Sequence, residues 1–440
     1  MGPSGLVAIA LLVLAYAAVS RRLSGSVITS AMVFTAGGIL VSGEALGWLD
    51  PALGNESVSL VAEATLAVVL FSDASRIDLG ALRREYVLPL RLLAIGLPLT
   101  IVAGAVAGVA VLGELALIEA VLLAIVLAPT DAALGQAVVT DPRVPSRVRQ
   151  GLNVESGLND GICVPLLLIG IAVAEAEEGA IGHGAAVRLV LEQIGYGCIG
   201  GLAAGLAAAA LVRVAVPRRL IDSVWLQILP VAAALLAYGL AAWMGGSGFI
   251  AAFVGGAVFG GFRRGVGGEF ARFLDESGAL LGAATWILFG AVMLVSVLDD
   301  LSAEVVLYSL LSLTLVRMVP VWLAMLGTGA KAPTVAFLGW FGPRGLASIV
   351  FAVILVEDAN LDDESLLLTT IFFTIALSVL LHGVTATPLA GRYAAWFAAH
   401  PSDTSPAFES RPAPELAPTL RAGGLGHERD VDHASTDPRH

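Results

Sequence analysis

Pro129-Thr130-Asp131-Ala132 and, further along, Asn153-Val154-Glu155-Ser156-Gly157-Leu158-Asn159-Asp160-Gly161 decide how this chain is read. The two stretches hold the carboxylates Asp131, Glu155 and Asp160, the amide Asn159 and the hydroxyls Thr130 and Ser156, mostly inside long apolar runs. In a soluble protein this would be a modest polar cluster. In apolar surroundings each ionisable group needs a reason, because an acid within a membrane segment is expensive and usually marks an ion or proton path.

The composition makes the apolar setting general. The chain has 440 residues, 57% hydrophobic and 14% charged, against about 25% charged in soluble domains. Mean hydropathy is +0.88. Apolar runs of about twenty residues recur almost to residue 390, each long enough to cross a hydrocarbon core of about 30 Å as a helix. The runs are continuous and not alternating, which argues against a membrane barrel. The expected class is an all-α polytopic membrane protein. A net charge of −12 and a pI near 4.9 argue against nucleic-acid partners. Fifty glycines suit close helix packing. Cys163 and Cys198 lie in apolar segments and read as packing residues. No basic residue precedes the first apolar run, whereas Arg21 and Arg22 follow it, as in a first spanning helix with its N-terminus outside.

Thirteen spans are predicted, near 5–20, 25–42, 58–73, 87–112, 115–139, 150–174, 187–212, 221–243, 247–262, 276–297, 303–327, 333–356 and 365–390. Odd loops carry the basic residues: Arg21 and Arg22, then Arg76, Arg83 and Arg84, Arg143, Arg147 and Arg149, Arg213, Arg218 and Arg219, Arg263, Arg264 and Arg272, and Lys331. Even loops carry acids, among them Glu44, Asp50, Glu56, Glu114, Glu175, Glu177, Glu178, Asp299, Asp300, Asp358, Asp362 and Asp363. Odd loops are therefore expected in the cytoplasm of a multi-pass cell-membrane protein, with the C-terminus inside. Residues 1–391 form the transmembrane domain. Residues 392–440, poor in apolar residues after His400, are expected to be a mostly disordered cytoplasmic tail.

Spans 5 and 12 share an unusual feature. Pro129 is followed by Thr130 and Asp131, and Pro343 by Arg344 and Gly345. Proline removes a helix hydrogen bond and clashes one turn back. Paired discontinuous helices mark the two inverted halves of many transporters, around a midplane site. The predicted arrangement is repeat 1 near 1–174, a linking span near 187–212 and repeat 2 near 221–390. Asp131 and Arg344 would then neutralise the helix ends that the breaks expose. The plainer reading is a pair of ordinary proline kinks.

At helical spacing Glu155 and Asn159 share a face, and Asp160 lies four residues from Ser156. The candidate ion- and proton-binding residues are Asp160, Asp131, Thr130, Ser156 and Asn159. A dehydrated sodium or lithium ion needs hard oxygen ligands, which Asp160, Ser156 and Thr130 (hydroxyl or freed carbonyl) would supply. Asp160 is the candidate for alternating between proton and cation, since a carboxylate in a low-dielectric site does not remain bare. Glu155 and Arg317, in Leu315-Val316-Arg317-Met318-Val319-Pro320, each need a partner, and an ion pair serves both, with a structural role. Glu63 is a possible accessory residue, at the site or on a water path. Asp73 is placed at the interface beside Arg76, and His382 reads as a packed or helix-capping histidine.

Through Pro129-Thr130-Asp131, Glu155-Ser156-Gly157-Leu158-Asn159-Asp160, Arg317 and Gly342-Pro343-Arg344-Gly345 the chain resembles the NhaP-type monovalent cation/proton antiporters, and more distantly the mammalian sodium/hydrogen exchangers. The resemblance implies an inverted-repeat fold with a core domain and a dimerisation domain, elevator-like movement, a homodimer and no cofactor. It implies that Asp160 binds the ion with help from the Thr-Asp break and Ser156, and that Glu155 pairs with Arg317. It also implies electroneutral one-for-one exchange, which goes with the pair Asn159-Asp160. One departure is that the family often has proline directly after the Asp of the break, where this chain has Ala132.

The expected function is therefore exchange of Na+, with Li+ a further candidate, for H+ by a secondary transporter and not an enzyme. A K+/H+ exchanger would use the same site. An intramembrane aspartyl protease would need two facing aspartates, Asp131 and Asp160, but gives the break at Arg344 no role. An ion channel would need neither a titrating acid nor two broken helices.

Overall fold

A computed structural model describes residues 3–23, 25–49, 56–76, 87–177, 182–262, 269–358, 363–400 and 408–410. Among them the regular structure is helical, apart from one isolated bridge between Ser42 and Leu49. The helices are α1 (Pro3–Leu23), α2 (Ser30–Val41), α3 (Glu56–Ser75), α4 (Val87–Leu112, with a π-helical turn at Leu92–Gly96), α5 (Leu117–Val126), α6 (Gln136–Val139), α7 (Ser146–Glu177), α8 (His183–Ala215), α9 (Ser223–Trp243), α10 (Gly248–Phe262), α11 (Glu269–Leu288), α12 (Ala303–Leu313), α13 (Leu315–Met325), α14 (Ala332–Trp340), α15 (Leu346–Asp358) and α16 (Glu364–Ala399). Side chains start several of them. Thr29 accepts from Met32 N, Asp222 from Val224 N and Ser302 from Val305 N, each satisfying an amide that has no partner within its helix.

Nine described helical segments are long and apolar enough to cross a membrane, and four more apolar helices are shorter: Ser30–Val41, Leu117–Val126, Gly248–Phe262 and Leu346–Glu357. Length and composition alone thus give nine crossings where the apolar runs predict thirteen. The four shorter helices fall in the predicted spans 2, 5, 9 and 12. Of the charges used to orient the loops, Asp50, Arg83, Arg84, Glu178, Arg263, Arg264 and Asp362 lie outside the described residues, as do 401–407 and 411–440 of the tail.

The outward faces are apolar: Leu6, Leu117, Leu191 and Trp243 are all strongly exposed. Such a surface suits lipid, not water. Inside, α10 packs between α3 and α8. The contact is close because Gly256 faces the backbone of Phe71, and Gly201 of α8 faces that of Ala251. A Cβ at either glycine would overlap main-chain atoms. Lipid offers no hydrophobic drive for helix association, so small residues that admit such approach supply much of it. A second apolar cluster, including Val148, Leu152, Phe337, Tyr393 and Phe408, gathers where α7 and α14 begin.

Candidate ion-binding site

The site begins with two interruptions. Helix α5 stops at Val126, and 127–135 runs as irregular chain and turns before the four-residue α6. Pro129 cannot donate a helical hydrogen bond and disfavours a helical residue before it. Freed carbonyls in an apolar interior need other donors. Ser348 Oγ donates to Val126 O (2.7 Å), and Arg344 Nη1 to Ala128 O (3.2 Å). In the second interruption, α14 ends at Trp340 and α15 begins at Leu346. Here Asp131 Oδ2 accepts from Leu346 N (3.2 Å), the first amide of α15, while Oδ1 accepts from Ala133 N (2.7 Å).

The charges therefore cross over. Asp131, from the first interruption, faces the positive N-terminal end of α15. Arg344, from the second, faces the carbonyls beyond the end of α5. The main chains also meet, as Asp131 N donates to Pro343 O (2.8 Å). Gly345 makes the approach possible, because a Cβ there would overlap the Asp131 carboxylate. Arg344 is fully buried. It donates further to Gly342 O (3.3 Å) and Ser312 O (3.5 Å), and its own amide donates to Ser378 Oγ (2.7 Å).

Helix α7 brings the second set of residues. Glu155, Ser156, Asn159 and Asp160 are all buried on it. Asn159 Nδ2 donates to Thr130 Oγ1 (2.8 Å), and the Thr130 and Ser156 hydroxyls share a hydrogen bond of 2.9 Å. Thr130 thus engages α7 through its hydroxyl. Asn159 Oδ1 is buried without a hydrogen-bond partner. Asp160 is 6% exposed. Asp73 of α3 packs against Gly157, one turn before Asp160.

Arg317 Nη2 lies 2.6 Å from Glu155 Oε1, with both side chains buried. Gly342 lies against Arg317, so the second interruption is seated on this pair. Glu63 accepts a hydrogen bond from Tyr238 Oη of α9 (2.8 Å). His382 Nε2 lies 2.9 Å from Trp340 O and Nδ1 3.0 Å from Ser378 O, the packed, helix-capping arrangement that its sequence position suggests.

Three polar residues escaped the sequence reading. Asp275 at the start of α11 pairs with Arg76 and accepts from Ser72 Oγ (2.9 Å), so Arg76 has a partner other than the neighbouring Asp73. The only signal was opposite charge at the ends of two distant apolar runs. Buried Glu119 accepts from Ala116 N (2.9 Å) and Asp363 N (3.1 Å), joining the starts of α5 and α16. Glu409 lies in the tail, where composition argues for no structure. In the turn before α7, the hydrogen-bonded Arg143 guanidinium holds the Asp141 carboxyl below the usual carboxylate range.

Known proteins carry the same architecture. The model of the transmembrane sodium/hydrogen exchanger family matches residues 7–392. The K+/H+ antiporter NhaP of Alkalimonas amylolytica is 25% identical over 376 residues, covering 84% of this chain and 63% of its own length. The Na+/H+ antiporter ApNhaP of Aphanothece halophytica is 26% identical over 364 residues, covering 79% and 67%. The K+/H+ antiporter NhaP2 of Shewanella sp. (strain ANA-3) is 24% identical over 333 residues, covering 75% and 57%. The chain thus spans about 57–67% of the length of these relatives. The fold is similar to that of the sodium proton antiporter MjNhaP1 from Methanocaldococcus jannaschii, with a TM-score of 0.72, 19% identity, and coverage of 89% of this chain and 97% of that one. With a family match across nearly all of its helices, this chain belongs to the transmembrane sodium/hydrogen exchanger family.

Proposed function

We propose that the chain is a secondary transporter that exchanges a monovalent cation for a proton, with Asp160 as the group for which the two compete. The observation that carries this reading is the hydrogen-bonded set Thr130–Ser156–Asn159, which ties the interrupted stretch 127–135 to α7 beside buried Asp160. A carboxylate in such surroundings binds either positive charge and resists being bare. Loading the cation then releases the proton, and loading the proton releases the cation. Exchange follows if the unloaded carrier cannot reorient. Ser156 and Thr130 oxygens complete the cation's ligands, and Asp131 and Arg344 hold the helix ends that frame it. The Glu155–Arg317 pair is structural.

The named relatives are antiporters, which supports a transporter over the protease reading. Their names include both Na+ and K+, so a K+/H+ exchanger with the same site is the second reading. The finer architecture belongs to the same proposal. It comprises thirteen crossings, with the four shorter apolar helices included, and two discontinuous helices in inverted repeats near 1–174 and 221–390. The linking span lies near 187–212. A core domain moves against a dimerisation domain in a homodimer of the cell membrane, with the N-terminus outside and the C-terminus inside. Asn159-Asp160 supports a stoichiometry of one proton per cation.

The test uses inside-out vesicles from cells lacking their own antiporters. A pH-gradient probe follows additions of sodium, lithium and potassium. The wild type should dissipate the gradient and Asp160→Asn should not, and the ion series then names the substrate. An equally active Asp160→Asn would remove Asp160 from the mechanism. No response to any of the ions by the wild type would remove the transport reading.

A further inference from the structure

The end of the bundle where α7 and α14 begin holds a contact that the transport reading does not use. Phe408, Glu409 and Ser410 form a single 3-10 turn there, and Phe408 and Glu409 are buried at 5% and 4% exposure. Glu409 Oε1 accepts from Lys331 N (2.8 Å), 78 residues earlier in the chain, and from Thr334 Oγ1 (2.7 Å). Lys331 is the N-cap of α14, and its own side chain makes no capping bond. A carboxylate at this position satisfies an amide and opposes the positive helix end. Thr334 Oγ1 also lies 3.0 Å from Tyr393 Oη, which brings in α16.

Phe408 makes an independent contact on the other side. The Arg147 guanidinium lies 4.1 Å over its ring, and Arg147 Nη1 donates to Phe408 O (3.0 Å). The stacking is a cation–π contact. The ring also joins the apolar cluster of Val148, Leu152, Phe337 and Tyr393. One short segment thus contacts the first turn of the helix bearing Asp160 and the start of the helix leading into the second interruption, and reaches α16 through Thr334.

We propose that the starts of α7 and α14 form a docking surface for the Phe408–Glu409 element of the chain's own tail. The recognised chemistry is an aromatic ring followed by a carboxylate. Arg147 takes the ring and its carbonyl. The α14 N-terminus and the Thr334 hydroxyl take the acid. Docking caps α14 and ties it to the start of α7, so the tail is anchored on the helix that bears Asp160 and on the helix that leads into the second interruption. The proposal does not depend on which ion is transported.

Residue-resolved hydrogen–deuterium exchange on the full chain in nanodiscs tests it. The Lys331 amide should exchange at least about tenfold faster in Glu409→Ala than in the wild type, as expected for loss of a protecting hydrogen bond. Phe408→Ala should also speed it, by loosening the segment. Amides of the α3–α10 contact, Val68–Ser75, should be unchanged and report that the bundle is intact. Thr334→Val removes only one of the two donors to Glu409. It should give a smaller rise at Lys331, and it serves as the test if Glu409→Ala does not fold. Equal exchange at Lys331 in the wild type and in the folded variants would overturn the docking surface.

Discussion

The interruptions at 127–135 and 341–345 both break a helix with a proline in apolar surroundings, yet they solve opposite problems. The first leaves carbonyls at the end of α5, and a cation from the second interruption and a hydroxyl from α15 satisfy them: Arg344 at Ala128 O and Ser348 at Val126 O. The second leaves amides at the start of α15, and an anion, Asp131, satisfies one of them. Each stretch is thus capped by a side chain from the other. Having its helix end satisfied from outside, the first stretch is free to turn Thr130 towards Ser156 and Asn159. The second resumes at once as a 13-residue helix and is seated on the Glu155–Arg317 pair. The first stretch presents polar groups, and the second provides the support.

The largest expected effect tests that support. Arg317→Ala strands a buried Glu155 beneath the second interruption, and should cost about 3–5 kcal/mol in detergent unfolding. A cost below about 1 kcal/mol would mean the pair does not hold the break together. The next test makes the same change in both stretches. A Cβ at Gly345 overlaps the Asp131 carboxylate, whereas at Gly135 it meets only Ala132 O at 3.7 Å. Gly345→Ala should cost about 1–3 kcal/mol through overpacking. Gly135→Ala should stay within about 0.5 kcal/mol. Equal effects would break the asymmetry.

Asp131→Ala removes the acceptor for Ala133 N and Leu346 N and should cost about 0.5–2 kcal/mol, as N-cap deletions do. Asp131→Asn keeps an acceptor and should cost less, which would separate hydrogen bonding from charge. The smallest effect lies outside both stretches, in the turn before α7. Arg143 lowers the folded-state pKa of Asp141. Its contribution is therefore present above the unfolded value of about 3.9 and lost as pH falls through the lower folded value. The melting difference between wild type and Asp141→Asn should be small at pH 7, and smaller still in high salt, because the pair is solvent-screened. It should vanish at the acid end.

Much of this was legible because lipid narrows the choices. An apolar run of membrane length must be helical, since its backbone has no water to bond. A buried arginine and a buried glutamate must find partners, so the sequence already suggests pairing Glu155 with Arg317. Pro129, two residues before Asp131, and Pro343, directly before Arg344, marked where helices would stop. Other features had too little sequence signal to be paired. Arg76–Asp275 and Glu119–Asp363 join residues whose separation has no period. Glu409 sits in a tail whose composition argues for no structure, and one aromatic-acidic pair is too short to register as a pattern.

The sequence by itself determined the helical membrane class, the placing of the breaks and the residue types at the candidate site, because burial in lipid penalises every alternative locally. Only the tertiary structure decided that Asp131 serves α15 and Arg344 serves α5, that Thr130 uses its hydroxyl towards α7, and that Phe408 and Glu409 close over the starts of α7 and α14. Those are choices among partners far apart in the chain, and they are settled by which helix ends pack within hydrogen-bonding distance of one another.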